Sequence, residues 1–277
     1  MKIRAAIIEA SDTLKKTGIT ECDNDAWMLF SYAANMNRTQ YLLKADEEID
    51  EALLIRYRNL IERRALREPL QYITGSAPFM GREFLVNDSV LIPRFDTENL
   101  VIEAQKYISE GMKVLDMCTG SGCIGLSLAC DNSSCSFTLA DISEPALEVA
   151  RLNMNNLNCS NVNLINTDMF DNIDGIYDII VSNPPYIPTK DIEELEEEVK
   201  NREPISALDG SEDGLLFYKI LASKSGKHLK NGGYLLLEIG YNQAEDVKTL
   251  LAENKFADIY VVKDLAGLDR VVCGRRK

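Results

Sequence analysis

Residues 96–277 read as an α/β domain with a seven-stranded, mostly parallel sheet and helices on both faces. A small helical domain over 1–72 and a β-hairpin linker over 73–95 precede it. Three observations predict this. Short apolar runs alternate with helical stretches from Asp96 onward, the pattern of βαβ units. A glycine-rich turn separates the first of these runs from the helix that follows it. Ahead of Ile73 the periodicity is helical throughout.

In the first segment, Ile3, Ile7 and Leu14 share one helical face ahead of Gly18. Trp27, Phe30 and Ala34 share another after a cap region at Asp23 or Asn24. A third face carries Leu53, Leu54, Tyr57, Leu60 and Ile61 and is stopped by Pro69. Arg56, Arg58, Arg63, Arg64 and Arg67 crowd the end of that helix, where cations suit the negative pole of the dipole. They read as a solvated helix end, with a docking surface for nucleic acid or an acidic partner as the sharper alternative. Ala77 to Met80 and Glu83 to Val86, separated by Gly81 and Arg82, read as the hairpin.

Asp96 and Thr97 form a cap-like pair that opens a helix. The strands follow at Val114 to Asp116, Phe137 to Asp141, Val162 to Ile165, Tyr177 to Ser182, Tyr234 to Glu238, Ile259 to Val262 and Arg270 to Cys273. The acidic run Asp191 to Glu198 reads as a solvated helix.

Composition narrows the function classes. The 277 residues are 45% hydrophobic and 27% charged, enough to bury a sizeable core and outside the range of disordered chains. Net charge is −14, with 17 basic against 30 acidic side chains in 96–277, which argues against a protein that coats a duplex or binds nucleic acid stably. Seven cysteines form no Cys-x-x-Cys pair, and His228 is the single histidine. A metal site or a histidine-driven nucleophile therefore has little material, and reduced cytosolic thiols are the natural reading. No basic-then-apolar leader opens the chain and no apolar run approaches the ~20 residues that span a bilayer, so a cytoplasmic location without membrane contact is expected.

Gly120-Ser121-Gly122-Cys123-Ile124-Gly125 follows a strand and opens a helix, and Asp141 lies at the tip of the next strand. This satisfies the dinucleotide fingerprint, in which glycines admit backbone to the ligand and the carboxylate accepts from ribose hydroxyls. S-adenosylmethionine makes the same two demands. Asp116, just before the turn, sets a negative charge where a pyrophosphate would be repelled and the ammonium of a methionine moiety held. The other discriminating feature is Asn183-Pro184-Pro185-Tyr186, directly after an apolar strand and so at the same crevice beyond the strand ends.

Taken alone, that turn is a rigid connection. In this setting it suits methylation of a planar amide or aromatic amine, whose lone pair is delocalised and whose placement must do most of the work. The Asn183 side-chain oxygen and the Pro184 carbonyl would both accept from one NH₂. Tyr186 would stack on the planar group and exclude water. Neither a metal nor a general base is required if the proton leaves after transfer.

With these residues the chain resembles the class I S-adenosylmethionine-dependent methyltransferases, and closely the peptide chain release factor glutamine methyltransferase (HemK/PrmC) family. Nearly the whole chain carries the likeness, including Glu68-Pro69-Leu70-Gln71-Tyr72-Ile73-Thr74-Gly75, Leu91-Ile92-Pro93-Arg94, Glu203-Pro204, Asp213-Gly214-Leu215 and Leu237-Glu238-Ile239-Gly240. The resemblance implies a Rossmann-like methyltransferase sheet and methyl transfer to the glutamine amide of a Gly-Gly-Gln motif in release factors, gripped in part by the helical domain. It places cofactor contacts on Asp116, Cys118, Thr119, Gly120, Ser121, Gly122, Asp141, Asp168, Met169 and Asn183. Substrate contacts fall on Asn183, Pro184, Pro185 and Tyr186, with Asn183, Pro184 and Tyr186 catalytic.

The sequence departs from the family pattern where Cys118 replaces a glycine, Met169 an aromatic that covers adenine, and Phe95-Asp96 a Pro-Glu pair. Rival readings are a ribosomal-protein glutamine methyltransferase, an adenine amino-methyltransferase on nucleic acid, a non-catalytic cofactor-binding adaptor and a NAD-dependent oxidoreductase.

Overall fold

A computed structural model describes residues 1–277, which divide into two compact units. The first comprises Met1–Gly75 together with Glu197–Arg202; the second comprises Ser76–Glu196 and Glu203–Lys277.

The first unit holds helices α1 (Ile3–Lys16), α2 (Cys22–Ala34), α3 (Arg38–Lys44), α4 (Glu51–Ala65) and α5 (Leu70–Thr74). Of the apolar faces anticipated from the periodicity, Ile3, Leu14, Phe30, Tyr57, Leu60 and Ile61 are buried in its core, and Ile7, Trp27, Ala34, Leu53 and Leu54 pack against it half-buried. Asp50 caps α4 by accepting from Leu53 N at 3.1 Å. The start of α2 differs from expectation. Its first residue is Cys22, and Asp23 and Asp25 lie inside the first turn without capping it. Asp23 accepts instead from the Ser11 hydroxyl, and Asp25 accepts from Arg64 Nε at 2.7 Å.

That ion pair changes the reading of the arginine cluster. Arg64 is buried between Asp25 and Glu198, 2.8 Å away, and Arg67 reaches Glu198 at 3.4 Å and Thr17 O at 2.7 Å. Arg63 pairs with Glu68, Arg58 with Glu9, and Arg56 lies over the Tyr32 ring. The helix end is therefore solvated in part: Arg56, Arg58 and Arg63 are exposed as expected, whereas Arg64 is buried and Arg67 half-buried, and all but Arg56 meet a carboxylate within the unit. The acidic run is likewise not one solvated helix. It breaks at the extended Leu195 into a 3₁₀ turn, Thr189–Glu194, and a short helix, Glu197–Arg202, whose Glu198 takes the Arg64 and Arg67 guanidiniums.

In the second unit, β1 (Ser76–Phe79) and β2 (Arg82–Leu85) form the hairpin. Its turn is Met80-Gly81, both at positive φ, one residue earlier than the sequence indicates. Phe79 and Phe84 meet edge to face, and both are buried in the core of this unit, so the hairpin is packed rather than a free linker. After α6 (Glu98–Gln105), strands β3 (Lys113–Met117), β4 (Ser136–Asp141), β5 (Val162–Asn166) and β6 (Tyr177–Ser182) alternate with α7 (Cys123–Asp131) and α8 (Glu144–Asn156). With the Glu197–Arg202 helix counted as α9, the chain continues through α10 (Leu216–Ser225), β7 (Leu229–Glu238), α11 (Ala244–Glu253), β8 (Phe256–Lys263) and β9 (Asp269–Arg276).

The sheet order is β5-β4-β3-β6-β7-β9-β8, with β9 antiparallel to both its neighbours. The fold class expected from the alternation is what the structure has. Strand order reverses between β3 and β6, so the carboxyl ends of these two strands open onto one crevice, where a ligand is expected in an open α/β sheet. β7 begins at Leu229 rather than Tyr234, running through a bulge opposite Tyr177 and Ile179.

Candidate active site

From the end of β3 the chain turns through Cys118, Thr119, Gly120, Ser121 and Gly122 into α7. Cys118, Gly120 and Gly122 have φ of 60°, 55° and 82°. Gly122 is required by conformation and by space, since a Cβ there would lie 2.9 Å from Leu126 Cδ1. At Gly125 space alone decides: a Cβ would meet Leu139 Cδ1 at 2.6 Å, so α7 lies close on the sheet only with glycine at that position. Cys118 carries its Cβ in the left-handed region, at a cost of roughly 1–2 kcal/mol. Burial pushes its thiol well above the ordinary range, as expected of an inert group. Its Sγ lies 3.9 Å from the Sδ of Met169, itself at φ 47°.

Asp116 stands behind the turn. Its Oδ2 accepts from Thr119 Oγ1 at 2.6 Å and from Gly125 N at 2.9 Å, and burial pushes its carboxyl up to about 7. Its Oδ1 is buried with no partner, the oxygen left for the ammonium contact expected of it, although Asp116 is not among the cavity-lining residues. Asp116 ties the tip of β3 to the start and end of the glycine turn. Asp141, at the tip of β4, accepts from Gly120 N at 2.8 Å and Ser143 N at 2.9 Å. Burial raises its pKa while these backbone donors oppose the shift.

A cavity of about 710 Å³ opens on these strand ends, within the 300–1,000 Å³ usual for small-molecule sites. Cys118, Thr119, Gly120, Ser121, Asp141, Asp168, Met169, Asn183 and Pro185 line it. Asp116, Gly122, Pro184 and Tyr186, also predicted, are outside its wall. The opposite wall includes Leu91, Arg94 and Pro204 to Ala207. Glu203, buried, joins these segments by accepting from Ile92 N at 3.2 Å and from Arg94.

Asn183 follows β6 directly. Its Nδ2 donates to Thr97 Oγ1 at 3.3 Å, which leaves Oδ1 without a protein partner. Thr97 stands at the N-cap position of α6, as expected, but it also ends a 3₁₀ turn, Phe95–Thr97, its side chain makes no capping bond, and it is 1% exposed. Asp96 of the same pair faces Arg270 at 3.1 Å. Tyr186 is held by its backbone: its carbonyl accepts from Gln243 Nε2 at 2.9 Å, and a Cβ on Gly214 would lie 2.4 Å from that oxygen. Burial raises the Tyr186 phenol to about 12, with the nearby Glu238 carboxylate adding to the shift.

The PrmC N-terminal domain family matches residues 5–75, and the Methyltransferase small domain family matches residues 94–200. A release factor glutamine methyltransferase of Clostridium acetobutylicum is 40% identical over 282 residues, covering 100% of this chain and 99% of that protein. One from Geobacter sulfurreducens is 39% identical, covering 95% of this chain and 92% of its own length. The chain belongs to the release factor glutamine methyltransferase family. A crystal structure of a methyltransferase from Pyrococcus furiosus superposes with a TM-score of 0.55 over 72% of this chain and 90% of that one, at 18% identity, and so shares the fold.

Membership decides between the two readings of the glycine fingerprint in favour of a methyltransferase. The cavity also fits the cofactor of that class, with a positive-φ turn admitting ligand to backbone, a fixed carboxylate at the β4 tip, and apolar Met169 and Ile142 beside it. The sequence did not show the supporting roles of four residues: Thr97 and Glu203, noted there only as a cap and as part of a family motif, and Gln243 and Asn153, not noted at all. The last, a 1% exposed residue inside α8, donates to Ser121 O at 2.9 Å and Leu85 O at 3.0 Å and accepts from Leu85 N at 2.7 Å. It joins the glycine turn to the hairpin, and a mid-helix asparagine gives no sequence signal of that.

Proposed function

We propose that this chain transfers a methyl group from S-adenosylmethionine to the side-chain amide nitrogen of the glutamine in the Gly-Gly-Gln motif of peptide chain release factors. The observation that carries the reading is Asn183, whose side-chain N–H is engaged by Thr97 while its carbonyl oxygen stands free at the cavity. The relatives at 39–40% identity over nearly full length, named for this activity, support the substrate class.

The cofactor would be held by the Cys118 to Gly122 turn and by Asp141, Asp168 and Met169; when bound it supplies an electrophilic methyl on a sulfonium sulfur. Asn183 Oδ1 and the Pro184 carbonyl accept from the two N–H bonds of the glutamine amide, which fixes its plane and directs the nitrogen lone pair at the methyl carbon. With the methyl donor held there, the oriented nitrogen would take the methyl group from the sulfonium, leaving a neutral thioether, and would then release its proton to water. Pro184 and Pro185 each fix φ, so the acceptors are set before substrate arrives. Tyr186, anchored by Gln243, packs behind the turn and helps exclude water.

The nucleic-acid alternative loses its footing in the paired state of Arg58, Arg63, Arg64 and Arg67. No helix is long and apolar enough to cross a membrane, which accords with a proposed cytoplasmic place of action. Mass spectrometry of purified release factor incubated with the chain and S-adenosylmethionine tests the reading. One added methyl on the Gly-Gly-Gln peptide is expected, and an unmodified glutamine would overturn it.

A further inference from the structure

Asn183 serves as an acceptor only if its amide is held one way round, oxygen toward the cavity and nitrogen away. A rotated amide would offer N–H groups to an NH₂ and repel it. What fixes the orientation must accept from Nδ2, and the one protein partner is Thr97 Oγ1 at 3.3 Å. A threonine hydroxyl accepts in that sense when its own proton is directed elsewhere.

Glu238 provides the direction. Parallel pairing sets Ser182 of β6 beside Leu237 of β7, so the residues that follow, Asn183 and Glu238, leave adjacent strands at the same level. Glu238 is 2% exposed and its Oε2 has no partner, so a buried carboxyl oxygen stands at that level in need of a donor. A carboxyl that accepted from the Thr97 O–H would leave the hydroxyl lone pair for the Asn183 N–H. Thr97 and Glu238 are buried and Asn183 is half-buried, which strengthens polar contacts among them.

We infer that Thr97, backed by Glu238, is a positioning residue that sets the orientation of the Asn183 amide for the methyl-accepting glutamine. This rests on the proposed role of Asn183. It accounts for a threonine buried at the end of a 3₁₀ turn that it does not cap. It also ties the segment after Pro93-Arg94 to the chemistry of a strand end far along the chain.

The test is single-turnover methylation of release factor by Thr97→Val, Thr97→Ser, Asn183→Ala and the Thr97→Val/Asn183→Ala double variant, beside calorimetry with S-adenosylmethionine. Thr97→Val keeps the shape and removes the hydroxyl, and should lower the rate roughly 10- to 100-fold while cofactor affinity and KM for the factor stay within about threefold. Thr97→Ser keeps the hydroxyl and should restore the rate to within about threefold. The double variant should be no slower than Asn183→Ala, because a residue that acts through Asn183 has nothing to act on once it is gone. Should Thr97→Val not stay folded by circular dichroism, Thr97→Ala carries the same comparison.

A Thr97→Val rate equal to the parent, failure of serine to rescue, or a double variant slowed by the product of the single effects would each overturn the inference while leaving the role of Asn183 standing. A parent-like rate for Asn183→Ala would instead overturn the proposed function of that residue, and the inference with it.

Discussion

The two ends of the cavity are built differently. The glycine turn is closed by its near neighbours: Asp116 takes Thr119 and Gly125, Thr119 N reaches Ala140 O, and Asp141 takes Gly120 and Ser143. The Asn183 to Tyr186 turn is held from farther along the chain. Thr97, well upstream, holds its first residue, and Gln243, well downstream, holds its last. The proposed cofactor end is held mainly from the tips of the adjoining strands β3 and β4, with Asn153 of α8 joining it to the hairpin, whereas the proposed acceptor end depends on residues far upstream and far downstream.

The largest effect expected of this difference is at Asn183. Asn183→Ala should lower the single-turnover rate by ~10² to 10³, about 2.7–4 kcal/mol of transition-state stabilisation, by analogy with loss of one preorganised polar contact. Asp141→Ala should act at the other end, weakening S-adenosylmethionine binding by roughly 1.5–3 kcal/mol, the range for hydrogen bonds to a charged group. Calorimetry checks it, and an unchanged affinity would remove Asp141 from the cofactor site. Gln243→Ala would leave the Tyr186 and Gly214 carbonyls and the Gly240 N–H without their buried partner. A loss of ~1–3 kcal/mol in denaturant unfolding is expected, with methylation reduced more than cofactor affinity. An affinity loss as large as the rate loss would mean that the two ends are not separable there.

The smallest effect concerns Cys118, at φ 60° where glycine is unstrained. Cys118→Gly should raise stability by about 0.5–1 kcal/mol, the left-handed strain relieved being partly offset by the greater freedom of glycine in the unfolded chain. Thermal unfolding measures it, and a lower Tm would show that the Cys118–Met169 sulfur contact outweighs the strain.

The same division governs what could be read from the residues. All seven sheet strands and the glycine turn follow from local pattern, since apolar runs, turn glycines and a strand-tip carboxylate are signals within a few positions of one another. Boundaries shifted where an unusual conformation intervened, as at Met80, whose positive φ moved the hairpin turn back one residue. Asn183 was legible because two prolines follow it. The roles of Thr97, Glu203, Gln243 and Asn153 were not, because each acts through a partner distant in sequence, and a polar residue does not announce whether it is buried. Asp116 shows the converse: its place before the turn was plain, but its task depended on which side of the turn the strand tip lies.

Titration of S-adenosylmethionine into the Asn183→Ala protein tests most directly whether cofactor binding and acceptor orientation are separate. Affinity within about threefold of the parent is expected, because the glycine turn and Asp141 are untouched. A loss approaching the ~10² to 10³ expected in rate would contradict the account and make Asn183 a cofactor ligand first.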